Sequence, residues 1–275
     1  MKYAITDLER PPKEIFHEII ESTSSQLLVP PQYSKNEVEI RELDSKEKSI
    51  GLFSSGTTAS PKCIWNTLHN LIENGKRTAQ AFEIEGRDRL LILAKPWHVA
   101  GLSWALMAEE LGCEYDFITT NKGESSQWFE AIKSFNPDYL LTVPPVLRAI
   151  YGKKWFVPNI VFGGAPFEFE DFSLLSPHCE VMYQGYGQTE AGGLIACHKH
   201  FSSEHPKSNE HLNCGEAIEG VELKTYGNPD DTSDIYIKSE TAFIDEWYKT
   251  GDHGFLEKND IHILGRIEKV IAAKN

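Results

Sequence analysis

Residues Ser54 to Lys62 read Ser-Ser-Gly-Thr-Thr-Ala-Ser-Pro-Lys, with five hydroxyl side chains, one glycine and a closing lysine, directly after the apolar run Ile50 to Phe53. Backbone and side-chain donors crowded beside a cation suit a polyanion such as a phosphate chain. The stretch is not a GxxxxGK[ST] phosphate loop, because Ser60 and Pro61 precede Lys62 and Cys63 follows it. A solvated hydroxyl-rich loop is the other reading of the same residues. His98, after Trp97 at the end of an apolar run, is either a structural histidine or one close to a substrate. The segment Cys197 to Cys214 holds two cysteines and four histidines, but no finger or CxxC spacing. It is expected to be a mobile polar loop rather than a zinc site.

These groups need a scaffold, and the pattern of the chain supplies one. Lys13 to Ser22 has a helical look, and residues 64 to 82 place apolar side chains at 64, 68, 71, 72, 79 and 82, so the hydroxyl loop is expected to lead into a helix. Strands over 90–94, 115–119 and 139–143 then alternate with helices over 102–111, 127–135 and 144–151. That order implies a mostly parallel sheet flanked by helices, an α/β fold whose ligands collect at the strand ends. Two further buried strands, 159–163 and 180–183, have glycine-rich exits. Beyond Gly215, short alternating segments at 221–226, 234–239 and 261–264 imply a smaller antiparallel β subdomain. The expected units are residues 1–48 as an N-terminal extension packed on the core, 49–212 as the α/β binding subdomain and 213–275 as the β-rich subdomain.

Composition bounds the function. The 275 residues are 40% hydrophobic and 25% charged, enough to bury a core. A net charge of −14 argues against a phosphate-tracking surface for nucleic acid. The apolar run 90–108 is interrupted by Lys95, Pro96 and His98, so no membrane segment is expected, and the N-terminus lacks the apolar core of a signal peptide. Five cysteines without a CxxC pair read as reduced thiols, which places the chain in the cytoplasm.

Taken in order, six stretches resemble the adenylate-forming superfamily of acyl- and aryl-CoA ligases, luciferases and peptide-synthetase adenylation domains. Ser54–Lys62 is similar to its phosphate loop and Pro96–Gly101 to its proline–histidine–glycine segment. Gly163–Pro166 is similar to its GGAP turn, Tyr186–Glu190 to YGxTE, Tyr248–Asp252 to YxTGD and Gly265–Lys269 to the hinge motif. Pro96–Ser103 and Gly220–Lys224 look most like the short o-succinylbenzoate-CoA ligases of menaquinone synthesis.

The resemblance implies attack of a carboxylate on the α-phosphorus of ATP with loss of pyrophosphate, a step that needs donors and cations waiting at the phosphates. It places Ser54, Ser55, Gly56, Thr57, Thr58 and Lys62 on the β- and γ-phosphates, Thr189 on the α-phosphate and Glu190 on Mg²⁺. Lys62, Thr189 and Glu190 are the implied catalytic residues. Gly163, Gly164 and Ala165 form an adenine wall, Tyr186 stacks on the purine between Gly185 and Gly187, and Gln184 meets its polar edge. Asp252 and Arg266 hold the ribose, His98 and Gly101 lie beside the acid, and Lys269 is the hinge. Coenzyme A is the implied second substrate and a small carboxylic acid the first.

The sequence also departs from the family. Ala59 stands where the phosphate loop usually has glycine, and about 50 residues precede that loop where typical members have more than 100. The family's bridging lysine lies in a C-terminal domain beyond the hinge, and no residue here matches it. Adenylation by these residues alone is therefore expected to be slow, with a separate C-terminal domain or an acyl carrier as partner. The alternative is a catalytically impaired protein that binds nucleotide or acyl-adenylate and needs a partner for that lysine.

Overall fold

The computed structural model describes residues 3–33, 40, 43, 46–54, 61–121, 123–204, 212–228, 231–242 and 246–266. The described residues form three sheets. In the first, β1 (Tyr3–Ile5), β2 (Ser25–Leu27) and β3 (Ser49–Phe53) run parallel, and β4 (Cys63–Thr67) closes the edge antiparallel to β3. The helix α1 (Pro12–Glu21) links β1 to β2. It starts with proline in its first turn, where the missing N–H is no loss, and buries Ile15, Phe16 and Ile19 on one stripe.

The second sheet has seven strands. Its parallel part comprises β5 (Arg89–Ala94), β6 (Glu114–Thr119), β7 (Tyr139–Thr142), β8 (Asn159–Gly163) and β9 (Val181–Gln188). The antiparallel strands β10 (Gly193–Phe201) and β11 (Glu216–Ala217) extend it, in the order β11-β10-β9-β8-β7-β5-β6. The crossovers carry α3 (Val99–Leu111), α4 (Ser125–Phe135), α5 (Pro144–Arg148) and α6 (Phe169–Leu175), while α2 (Leu68–Ala81) leads into β5.

Alternation along β5 shows how the sheet is covered on both faces. Leu90, Ile92 and Ala94 join a core with residues of α1, α2 and α3, whereas Leu91 and Leu93 join a second core with residues of α4, α5 and α6. A strand buried on both faces reads as a continuous apolar run, which is why β5 was visible in the sequence. The third sheet is an antiparallel meander of β12 (Val221–Thr225), β13 (Ser233–Ser239), β14 (Tyr248–Glu257) and β15 (Asp260–Arg266).

The mixed α/β fold with a separate antiparallel sheet is the one expected, but some local expectations are corrected. Residues 63–67 form β4, and the helix begins only at Leu68, capped by the Thr67 side chain accepting from the Asn70 N–H. Pairing with β3 overrides the helical spacing at 64. The strand expected over 180–183 continues through Gln188, because β10 returns along it and satisfies its backbone groups. Part of the histidine-rich segment is likewise no loop: Cys197, His198 and His200 lie in β10, with His200 buried. Among the described residues no three histidine, cysteine or acidic side chains gather as metal ligands, and no helix is long and apolar enough to cross a membrane.

Candidate active site

The C-terminal ends of the parallel strands open into a cavity of about 650 Å³, within the range of small-molecule sites. Its wall is assembled from loops distant in sequence. Lys95, His98 and Gly101 follow β5; Gly163, Gly164 and Ala165 follow β8; Gly185, Gly187 and Gln188 come from β9, and Thr189 and Glu190 from the turn after it. Ser54 enters from the end of β3, and Gly251 and Arg266 from the antiparallel sheet.

Each position has a local cause. At Gly163 an added Cβ would sit 2.3 Å from the Gly185 carbonyl oxygen, so β8 and β9 can close up here only around glycine. Gly101 is under the same constraint from the Lys95 carbonyl, also at 2.3 Å, which holds the first turn of α3 against the end of β5. Thr189, Glu190 and Ala191 form a single 3₁₀ turn between β9 and β10. Asn66 of β4 donates to the Thr189 carbonyl at 3.1 Å, and below the turn the fully buried Asn74 of α2 accepts from the Leu194 N–H at 2.9 Å and donates to its carbonyl at 3.0 Å. The first sheet and α2 thus fix the turn that carries Glu190.

A buried network lies behind this wall. Asp252 of β14 accepts at Oδ2 from the Tyr186 hydroxyl at 2.6 Å and from Gln188 Nε2 at 2.5 Å, and at Oδ1 it meets Arg266 Nε at 3.1 Å. Gln188 also donates to the Thr250 carbonyl at 3.1 Å, as does Arg266 at 2.8 Å. Of the roughly four acceptor directions of a carboxylate, the described residues take three and leave one at Oδ1. Desolvation first, then the Asp252 charge and its hydrogen bond, push the Tyr186 phenol well above its ordinary range, so it stays protonated, donating to Asp252 and accepting from Gln188 Nε2 at 3.3 Å. Tyr186 and Gln184 are buried and stand outside the cavity wall; Gln184 Nε2 lies 3.8 Å from Cys214 Sγ.

His98 caps the start of α3, with its N–H on the Lys95 carbonyl at 3.2 Å. Burial, and then the charge of Lys95, lower its imidazole pKa, so at neutral pH it is an uncharged donor and acceptor. The Tyr248 phenol, whose oxygen is buried and has no hydrogen-bond partner among the described residues, is pushed up by burial and then by the charges of Glu190 and Asp252. Glu190 has no ion-pair partner among the described residues.

The structure brings together Ser54, His98, Gly101, Gly163 to Ala165, Gly185, Gly187, Thr189, Glu190 and Arg266 on one wall, with Asp252 and Tyr186 directly behind it. Lys62 is exposed and outside the wall, its carbonyl accepting from the Ser54 N–H at 3.1 Å. Ser55, Gly56, Thr57, Thr58 and Lys269 lie outside the described residues. Sequence reasoning missed Gln188, Tyr248 and Lys95. The first two sit inside the motifs that were recognised, and Lys95 read only as a break in an apolar run.

A parallel sheet opening onto such a wall, with an antiparallel sheet supplying its last residues, is the architecture of the N-terminal domain of adenylate-forming enzymes. A model of the AMP-binding enzyme family matches residues 5–235, and the chain belongs to that family. It is 26% identical over 258 residues to 4-coumarate–CoA ligase-like 4 of Oryza sativa subsp. japonica, covering 81% of this chain and 46% of that protein. With 4-coumarate–CoA ligase CCL1 of Humulus lupulus it shares 27% over 266 residues, covering 81% and 47%. The chain thus spans about half the length of the curated relatives it matches. Unliganded o-succinylbenzoate coenzyme A synthetase (MenE) from Bacillus subtilis superposes with a TM-score of 0.75 at 16% identity, covering 97% of this chain and 72% of its own. The McyG A-PCP structure with phenylalanyl-adenylate gives 0.69 at 19%, covering 83% and 48%. Both share the fold.

Proposed function

We propose that these residues form the nucleotide- and acid-binding part of an AMP-forming acid–CoA ligase, which activates a carboxylic acid as its acyl-adenylate. The observation that carries it is the convergence of five separated segments, around Ser54, His98, Gly163, Thr189 and Arg266, on one cavity. In the reaction a carboxylate oxygen bonds to the α-phosphorus of ATP as the bond to the bridging oxygen of pyrophosphate breaks. Gly163 to Ala165 present backbone to the flat base, and the remaining lone pair of Asp252, with the Arg266 guanidinium, takes the ribose hydroxyls. The Thr189 hydroxyl donates to the α-phosphate where negative charge is redistributed, and Ser54 donates farther along the chain of phosphates. Neutral His98 orients the acid without attracting it away from the phosphorus.

Glu190 suits Mg²⁺: it is a hard oxygen donor with no cation paired to it among the described residues, and one carboxylate plus substrate phosphates is a usual environment for that ion. Bound there, the ion would neutralise phosphate charge. Coenzyme A is the acceptor in this scheme. The menaquinone-pathway acid o-succinylbenzoate is supported by the likeness of residues 96–103 and 220–224, and 4-coumarate by the curated relatives.

Calorimetry with AMP, followed by ATP–pyrophosphate exchange over a panel that includes both acids, tests the scheme. AMP binding with acid-dependent exchange is expected. AMP binding without exchange for any acid would instead favour a protein that only holds nucleotide or adenylate. No binding of AMP or ATP would overturn both.

A further inference from the structure

The third sheet ends on β12, and among the described residues no strand pairs with the far side of that strand. The Glu240 N–H donates to the Gly220 carbonyl at 3.2 Å, one step beyond the pairing of Val221 with Ser239. Hydrogen-bonded positions alternate along an antiparallel pair. Glu222 and Lys224 therefore turn their backbone groups toward β13, and Val221, Leu223 and Thr225 turn theirs away. The Ile218 carbonyl takes the Val221 N–H at 3.1 Å. That leaves the Val221 carbonyl and the N–H and carbonyl of both Leu223 and Thr225 facing out from the edge.

The side chains of this edge are complementary to themselves. Glu222 and Lys224 stand opposite Lys238 and Tyr236, on the face away from the buried Ile235 and Ile237. Lys224 lies with its Nζ 4.2 Å from the centre of the Trp97-independent Trp247 ring, and Glu222 is held only by Lys238 at 3.7 Å. A lysine on an edge strand ordinarily wards off other strands. Here an acidic residue precedes it by two positions. In an antiparallel pairing of two copies centred on Leu223, residue 222 of each falls opposite residue 224 of the other, so the two-fold axis makes a Glu222–Lys224 pair on either side. Leu223 then meets its own counterpart through the backbone, and the Thr225 N–H meets the Val221 carbonyl. Tyr226, 81% exposed, falls opposite Gly220, which has no side chain to obstruct the ring. We infer that β12 is the edge through which two copies of this chain join, their third sheets becoming one antiparallel sheet across the axis. No residue of this edge lines the cavity, so the inference is independent of the function proposed above.

Sedimentation equilibrium of the 275-residue chain, from about 1 to 100 μM, measures the association. A reversible dimer is expected. Glu222→Lys and Lys224→Glu each set like charges opposite one another on both sides of the axis, and each should weaken the dimer roughly tenfold or more. The double variant Glu222→Lys/Lys224→Glu restores opposite charges in the same register and should restore the dimer, an outcome that a merely charged surface gives no reason to expect. The thermal unfolding midpoint reports that all three variants fold. A chain that stays monomeric throughout overturns the inference and leaves Lys224 as the guard of a free edge. A dimer indifferent to the single reversals, or one that the double reversal does not recover, overturns it too, because the contact then lies elsewhere or in another register.

Discussion

The Tyr186 hydroxyl, on a strand of the seven-stranded sheet, donates a 2.6 Å hydrogen bond to Oδ2 of Asp252, on a strand of the C-terminal sheet. The two sheets therefore share one buried carboxylate at the cavity wall.

Removing either partner should have unequal effects. Tyr186→Phe leaves Asp252 with Gln188 and Arg266 and should cost about 1 kcal/mol of stability, with a small loss of AMP affinity. Asp252→Ala strands the phenol and the guanidinium together, so it should cost about 1–3 kcal/mol and weaken AMP binding roughly tenfold or more. Urea unfolding and calorimetry on the two variants check the order; equal effects would mean that Asp252 has no ligand role.

Gly163→Ala drives a methyl group against the Gly185 carbonyl, where backbone faces backbone and neither can step aside. A loss of about 1–3 kcal/mol and a narrowed site are expected. Exposed Gly152, whose Cβ would meet nothing within 4 Å, is the control. Gly152→Ala should stay within about 0.5 kcal/mol. The urea midpoints of the pair measure the difference.

Acid should act through His200. Burial, and secondarily the neighbouring His198, pull its pKa from 6.5 down to about 3. The folded state thus refuses a proton that the unfolded chain accepts, so the stability is intact above pH 6.5 and is lost as pH falls toward 3. Across that window His200 contributes up to one proton, about 1.4 kcal/mol per pH unit. His200→Phe, which keeps a ring against Phe172, should flatten the acid limb of a stability–pH curve by one proton; an unchanged slope would show that His200 titrates normally.

The thiols should be inert. Burial raises Cys179, Cys197 and Cys214 to about 12 and Cys113 to about 11, and Cys63 is buried as well. Since the thiolate is the nucleophile, iodoacetamide at pH 8 should label the native protein far more slowly than the urea-unfolded chain. Rapid native labelling of Cys197, the one partly exposed thiol, would contradict this.

How far the sequence could be read followed the kind of force acting at each place. The parallel strands announced themselves because burial on both faces demands unbroken apolar runs such as Leu90 to Leu93. The glycines at 163 and 185 were visible as residue types, although their reasons, the Gly185 backbone pressed on Gly163 and the Leu194 side chain over Gly185, belong to the sheet. β4 was hidden because Ile64 continues the apolar spacing of the helix that begins at Leu68, and only the partner strand β3 claims it for a strand. β14 was hidden because its motif residues, Thr250, Gly251 and Asp252, are those of a turn, and they do break the β13 register here, with Gly251 at φ 78°.

Arg266 stands directly across from Asp252 in the β14–β15 pairing, at the last described position of the chain. A molecule that takes the spare lone pair of that carboxylate would therefore share it with the closing strand of the antiparallel sheet, so that one side chain joins the ligand, the seven-stranded sheet and β15.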